Sequence, residues 1–292
     1  MTVFRTAEER FDDLPGWSFE PHYVEQDGLR MHYVDEGDGA PVLLLHGEPT
    51  WSYLYRKLIP PLAEVGRVVA PDYFGFGRSD KPVDRDWYSY DRHYASMERF
   101  VEELDLRELT VVVHDWGGPI GLRFAVERPE RVARLVIMNT GVGAGRAPSD
   151  EWLRFREFVR RVGTDLNAGR LIRVTCVTEL PDDVVAAYDA PFPTPESKTG
   201  PLMFPELVPT EVEHPSAAKM LEVRESLARW EKPTLIMFSD SDPIFSPRDA
   251  GRLAARIPGA EPAETIAGAG HFLQEDKGDE LGDRIARWLR SR

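Results

Sequence analysis

The chain has 292 residues, 42% hydrophobic and 29% charged, a balance that excludes wholesale disorder and collagen-like or low-complexity sequence. Its 36 Lys and Arg against 50 Asp and Glu leave a formal charge of −14, which argues against nucleic acid or an anionic membrane surface as the main partner. The length fits one large α/β domain, or one domain that carries an insert.

Cys176 is the only cysteine, so neither an internal disulfide nor a cysteine-based metal site can form, and a reducing, cytoplasmic setting is expected. Residues 1–11 contain no apolar h-region, so no signal peptide is expected. The purest apolar runs, 42–45 and 111–113, are far too short to span a bilayer and suit buried parallel strands.

In chain order, residues 22–25 and 30–34 flank Asp27-Gly28 and read as a β-hairpin. Residues 42–46 read as a buried strand, followed by a loop over 47–50. Residues 51–58 read as a helix that Pro60-Pro61 would end or kink. A strand over 67–70 leads into a loop over 72–80. Tyr94, Met97, Val101 and Leu104 mark one face of a helix. Then come a strand over 109–113, a helix over 117–127 and a strand over 132–138.

Beyond Asn139 the rhythm breaks. Residues 151–162 read as helix, and the stretch after them is rich in proline, from Pro181 to Pro209. Alternation resumes with a strand over 233–239, a helix over 247–257 and a strand over 262–266. A final helix places Leu281, Ile285, Trp288 and Leu289 on one face. Alternating β and α units imply a mostly parallel sheet flanked by helices. Residues 1–140 and 214–292 would form this core, and 141–213 an inserted, mainly helical cap over the carboxyl ends of the strands.

The sharpest chemical signal is Val113-His114-Asp115-Trp116-Gly117-Gly118, where a buried strand turns abruptly into a helix. Such an elbow exposes its central residue at the top of a sheet, with glycines relieving the crowding. Taken alone, Asp115 could equally cap the next helix. Downstream, Ser239-Asp240-Ser241-Asp242-Pro243 and Gly268-Ala269-Gly270-His271 each follow a predicted strand. Nucleophile, acid, histidine is the chain order of an α/β-hydrolase triad. Asp242, which precedes Pro-Ile, is preferred as the acid, with Asp240 as the alternative. In that fold the loop His46-Gly47-Glu48-Pro49 supplies one oxyanion-hole N–H, from Glu48, and the residue after the nucleophile supplies the other, from Trp116. A plain turn is the alternative for this loop.

The stretches HGEPTWSYLYR (46–56), APDYFGFGRSDKP (70–82), HDWGGPIGLR (114–123), YDAPFP (188–193) and GHFLQED (270–276) resemble the haloalkane dehalogenases of the α/β-hydrolase superfamily, and specifically their subfamily I. The likeness runs from about Tyr23 to Trp288. It implies Asp115 as nucleophile, His271 as base, Asp242 as its partner and Trp116 as a halide-binding donor. Small haloalkanes and water would be the substrates; a primary alcohol, halide and a proton would be the products. No metal or organic cofactor is implied, and a monomer is expected. The family's second halide-binding tryptophan aligns with Phe155, which has no N–H. Trp152 lies three residues earlier on the same helical face, so the donor has either moved to Trp152 or been lost.

Other signals are weaker. Gly75-Phe76-Gly77-Arg78-Ser79-Asp80 lacks the Lys-Ser/Thr ending of a phosphate loop. Gly141-Val142-Gly143-Ala144-Gly145-Arg146 has Arg at the third glycine of a dinucleotide fingerprint and reads as a hinge into the cap. The seven histidines show no zinc-ligand spacing. Phe155, Phe158, Tyr188, Phe192, Phe204 and Leu207 could line an apolar pocket or simply pack. An epoxide hydrolase would use the same carboxylate and histidine, but it usually needs two lid tyrosines, and 141–213 contains only Tyr188. A serine esterase would need a G-x-S-x-G elbow, which is absent. A non-catalytic binder on this fold would be expected to lose part of the triad.

Overall fold

A computed structural model describes residues 1–143, 145 and 148–292. Ala144 and Arg146, part of the stretch read as a hinge, and Ala147 lie outside the described residues. Among the described residues the strands are β1 (Val3–Phe4), β2 (His22–Gln26), β3 (Leu29–Glu36), β4 (Pro41–Leu45), β5 (Arg67–Pro71), β6 (Lys81–Pro82), β7 (Leu109–His114), β8 (Val132–Met138), β9 (Thr234–Ser239) and β10 (Glu264–Ile266). Eight of them form one sheet in the order β10-β9-β8-β7-β4-β5-β3-β2. Pairing is parallel from β10 through β5; β3 runs antiparallel to both β5 and β2. The hairpin read at Asp27-Gly28 is β2–β3, with Gly28 at φ +79° and Asp27 at φ +52°.

The helices are α1 (Ile59–Ala63), α2 (Tyr90–Glu103), α3 (Gly117–Glu127), α4 (Asp150–Val162), α5 (Ala168–Thr175), α6 (Asp182–Asp189), α7 (Thr199–Met203), α8 (Ala217–Ser226), α9 (Pro247–Arg256) and α10 (Leu273–Arg290). Side chains alternate along each strand, so β4 and β7 feed two cores. Leu43, Leu45, Val111 and Val113 pack on Met97, Phe100 and Val101 of α2, Ile120 and Phe124 of α3 and Val223 of α8. Val42, Leu44 and Val112 pack on Leu62 of α1 and Leu281, Ile285 and Trp288 of α10. Both faces are covered, which is why the central strands are continuously apolar.

The helix expected over 51–58 is absent. Trp51 is extended, Ser52–Tyr55 makes one 3-10 turn, and α1 starts at Ile59 with Pro60 and Pro61 in its first turn. The prolines begin a helix rather than end one, because first-turn N–H groups have no intrahelical acceptor to lose. The pairing of β1 with β6 had no counterpart in the sequence reading.

The segment between β8 and β9 carries α4–α8. Ser149 caps α4 by accepting from the Trp152 N–H at 3.2 Å, which sets Trp152 in the first turn. The proline-rich run is more regular than its composition suggests. Pro195–Lys198 and Phe204–Leu207 are 3-10 helices with proline in the first turn, on either side of α7. This segment touches the loops after the strands: a Cβ on Gly200 would meet the Gly75 carbonyl at 2.6 Å, and Phe204 packs edge-on against Trp116. α8 returns to pack on α3. No helix among the described residues is long and apolar enough to cross a membrane.

Candidate active site

β7 ends at His114, and Asp115 then turns with φ +47°, in the left-handed region that an Asp side chain tolerates better than most. The turn is crowded on every side. A Cβ on Gly47 would sit 2.3 Å from the Asp115 side chain, one on Gly117 2.0 Å from the Leu45 carbonyl, and one on Gly118 1.9 Å from Thr140 Oγ1. The DWGG sequence and the HG pair of the neighbouring loop are therefore one steric requirement. Thr140 Oγ1 also donates to the Asp115 carbonyl at 2.6 Å.

The alternative in which Asp115 caps α3 does not hold. The N-cap position is Trp116, and no side-chain cap bond is made there. Asp115 Oδ1 instead accepts the Glu48 N–H at 2.8 Å, and the Trp116 N–H also supports the carboxylate. Enclosure raises the Asp115 pKa; His271 and the two N–H groups offset part of that rise.

His271 Nε2 lies 3.7 Å from Asp115 Oδ2, and its Nδ1 lies 2.8 Å from Asp242 Oδ2. Burial disfavours the imidazolium, but Asp242 and then Asp115 more than reverse this and raise the histidine's pKa. Burial likewise works against ionised Asp242. The charge and hydrogen bond of His271, with the N–H groups of Ile244 (2.7 Å) and Phe245 (3.1 Å), nevertheless hold that carboxyl below its ordinary range. Asp240 is elsewhere: it is exposed and accepts the Gly268 N–H at 3.0 Å. Of the two candidate acids, Asp242 is the one beside the imidazole.

Three residues passed over in the sequence hold the His271 loop. Asn139, with φ +31° just past β8, donates Nδ2–H to the carbonyls of Gly270 (3.1 Å) and His271 (3.2 Å). The His114 ring Nε2 lies 2.8 Å from the His271 carbonyl oxygen. Asp276 accepts N–H bonds from Gly270 (2.8 Å), Val177 (3.1 Å) and Thr178 (2.6 Å). The Thr175 carbonyl accepts the His271 N–H at 3.0 Å. Asn139 stands at the end of a strand, and His114 and Asp276 lie inside the HDWGGPIGLR and GHFLQED stretches; those positions are the available signals.

A cavity of about 50 Å³ opens over Asp115, walled by Glu48, Trp116, Trp152, Phe155, Pro205 and His271. Trp152 and Phe155 both reach it, and only the indole can donate a hydrogen bond. Arg156 stands 5.1 Å from the Trp152 ring. Of the other aromatics considered, Phe192, Phe204 and Leu207 belong to the core, Phe158 is exposed, and Tyr188 is buried with its hydroxyl on Glu275. A larger hollow of about 440 Å³, lined by Gln26, Trp87, Arg92 and Arg99, contains none of the residues of this cluster.

The sheet order, the elbow after β7 and the histidine loop after β10 define an enzyme of the α/β-hydrolase class, and residues 40–165 match the alpha/beta hydrolase fold family. The chain is 45% identical to a haloalkane dehalogenase of Mycobacterium marinum over 298 residues, covering 99% of this chain and 100% of the relative. It is 47% identical to haloalkane dehalogenase 1 of Mycobacterium tuberculosis over 300 residues, covering 99% of each. Among solved structures, the tetrameric haloalkane dehalogenase DpaA from Paraglaciecola agarilytica superposes with a TM-score of 0.93 at 35% identity, covering 97% of both chains. DbeA from Bradyrhizobium elkani gives 0.85 at 27% identity, covering 94% of this chain and 98% of that one. The chain belongs to the haloalkane dehalogenase family.

Proposed function

We propose that the chain hydrolyses the carbon–halogen bond of small haloalkanes through an ester on Asp115. The observation that carries this reading is one carboxylate flanked by two backbone N–H donors, 3.7 Å from an imidazole, at the floor of a cavity walled by two indoles. At that distance Asp115 is not tied up in a hydrogen bond to the histidine.

A carboxylate oxygen of Asp115 attacks the carbon in line, and the C–X electron pair leaves with the halide. Trp116 and Trp152 supply N–H donors to that anion, while Phe155 supplies only wall. Water then attacks the ester carbon, and His271 Nε2 takes its proton. The negative charge of the tetrahedral intermediate falls on an Asp115 oxygen, where the N–H groups of Glu48 and Trp116 meet it. Collapse frees the alcohol and restores the carboxylate, and His271 releases the proton. Asp242 orients the ring and stabilises the imidazolium. The balance is haloalkane plus water to alcohol, halide and a proton. The small cavity favours short substrates.

Residues 141–213 act as the cap and 1–140 with 214–292 as the core; the return of α8 onto α3 supports that boundary. An epoxide hydrolase reading lacks its acid, because the hydroxyl of Tyr188 is committed to Glu275 away from the cavity. The proposed mechanism calls on no residue from a second chain, so a monomer, in the cytoplasm, is the expectation; a tetramer mass by light scattering would overturn the monomer.

The test is His271→Phe. It should release one halide per chain and leave an alkyl mass on the peptide holding Asp115. Wild-type turnover without any such adduct in the variant would sink the ester mechanism.

A further inference from the structure

Two carboxyl groups share the cavity, and the ester mechanism uses only one of them. Glu48 is 5% exposed, and its Oε1 is sealed from solvent with no hydrogen-bond partner among the described residues. Asp115, on the opposite side of the Glu48 backbone N–H bond, has the donors: Glu48 N–H, Trp116 N–H and the nearby His271. Among the described residues the titratable groups that wall the cavity with Glu48 are Asp115 and His271, and no Lys or Arg lines it.

Two carboxylates enclosed side by side do not both ionise, and the proton stays on the one without donors. Enclosure, and then the charge of Asp115, push the Glu48 carboxyl well above its ordinary range. We infer that the Glu48 side chain is held as a carboxylic acid and presents its O–H as an additional hydrogen-bond donor to the halide. The inference rests on the dehalogenase reading above and adds a donor that is neither indole nor backbone. It also gives the proton a second consequence. A neutral Glu48 leaves Asp115 as the only anion in the cavity before attack, and after attack it leaves no charge there to repel the halide. The proton stays on Glu48 throughout, so the overall reaction balance is unchanged.

The experiment measures bromide binding to the full chain by quenching of tryptophan fluorescence. Glu48→Leu removes the donor at nearly constant volume and should weaken bromide binding about ten- to a hundredfold, the range for a hydrogen bond to an anion. Glu48→Gln keeps a neutral donor and should restore most of that affinity. In wild type, affinity should fall at alkaline pH as Glu48 ionises. Loss of the imidazolium at His271 is common to wild type and Glu48→Gln, so only a fall missing from the latter belongs to Glu48. Infrared spectra at neutral pH should show a carboxylic-acid band in wild type that Glu48→Gln lacks. If Glu48→Leu binds bromide as wild type does, or if no acid band is lost in Glu48→Gln, the inference fails. Should Glu48→Leu not fold, the infrared comparison decides alone. An alkyl adduct in His271→Phe alongside either negative result overturns the Glu48 role and leaves the ester mechanism standing.

Discussion

Two carboxyl centres flank β4, one at the end of β5 and one at the end of β7, and their difference shows what would separate a brace from the reagent proposed above. Asp72 is fully enclosed and saturated. It meets His32 Nδ1 at 2.8 Å and accepts N–H bonds from Ser52 (2.7 Å) and Arg78 (2.8 Å). Burial opposes its charge, but His32, His46 and those N–H groups hold its carboxyl far below the ordinary range. Asp115 keeps 20% of its side chain open, takes the Glu48 N–H on Oδ1, leaves Oδ2 3.7 Å from His271, and is shifted upward. Burial sets what a charge costs. The placing of donors decides whether that charge is spent on the fold or left facing a reactant.

The largest effect that would break this contrast lies at Asp115. Asp115→Ala should lower halide release by about 10⁴-fold or more, the scale seen when a triad member is removed. Its unfolding curve in urea should move little. Asp72→Asn should do the reverse, lowering stability by about 3–5 kcal/mol in urea, since it leaves a buried partner uncompensated. The pH dependence sharpens the point. A depressed carboxyl adds stability that is fully present above its unfolded pKa and is lost as pH falls through the folded value. The stability gap between wild type and Asp72→Asn should therefore narrow in acid; a gap that widens there would assign the shift to another group. The smallest effect is at the cavity wall. Trp152→Phe should weaken bromide binding about tenfold, and unchanged affinity would leave Trp152 as packing.

Much of this arrangement is legible in the sequence. The central strands announced themselves as apolar runs because both faces of the sheet are covered, and α2 as a stripe at helical spacing. The elbow was visible because glycine pairs are the only residues that fit where Leu45 and Thr140 press in. The order of Asp115, Asp242 and His271, each after a strand, placed them at the same edge of the sheet. What escaped depends on distant partners or on very short elements. Pro60-Pro61 reads as a stop unless the helix start is known. The strands of β1 and β6 are two residues each, too short for any periodic signal. Asn139 and His114 serve a carbonyl 132 and 157 residues away. The cavity that Glu48 lines exists only once Trp152 and Phe155 of the cap helix, the elbow and the loop have come together.

Asp276 accepts N–H bonds both from the loop that carries His271 and from the backbone just past α5. Imidazole and lid are thus tied through one knot. Anyone exchanging this lid for a relative's, to reshape what the enzyme accepts, would also be shifting the loop that holds His271, the base of the proposed mechanism, unless the graft presents the same pair of amides to that aspartate.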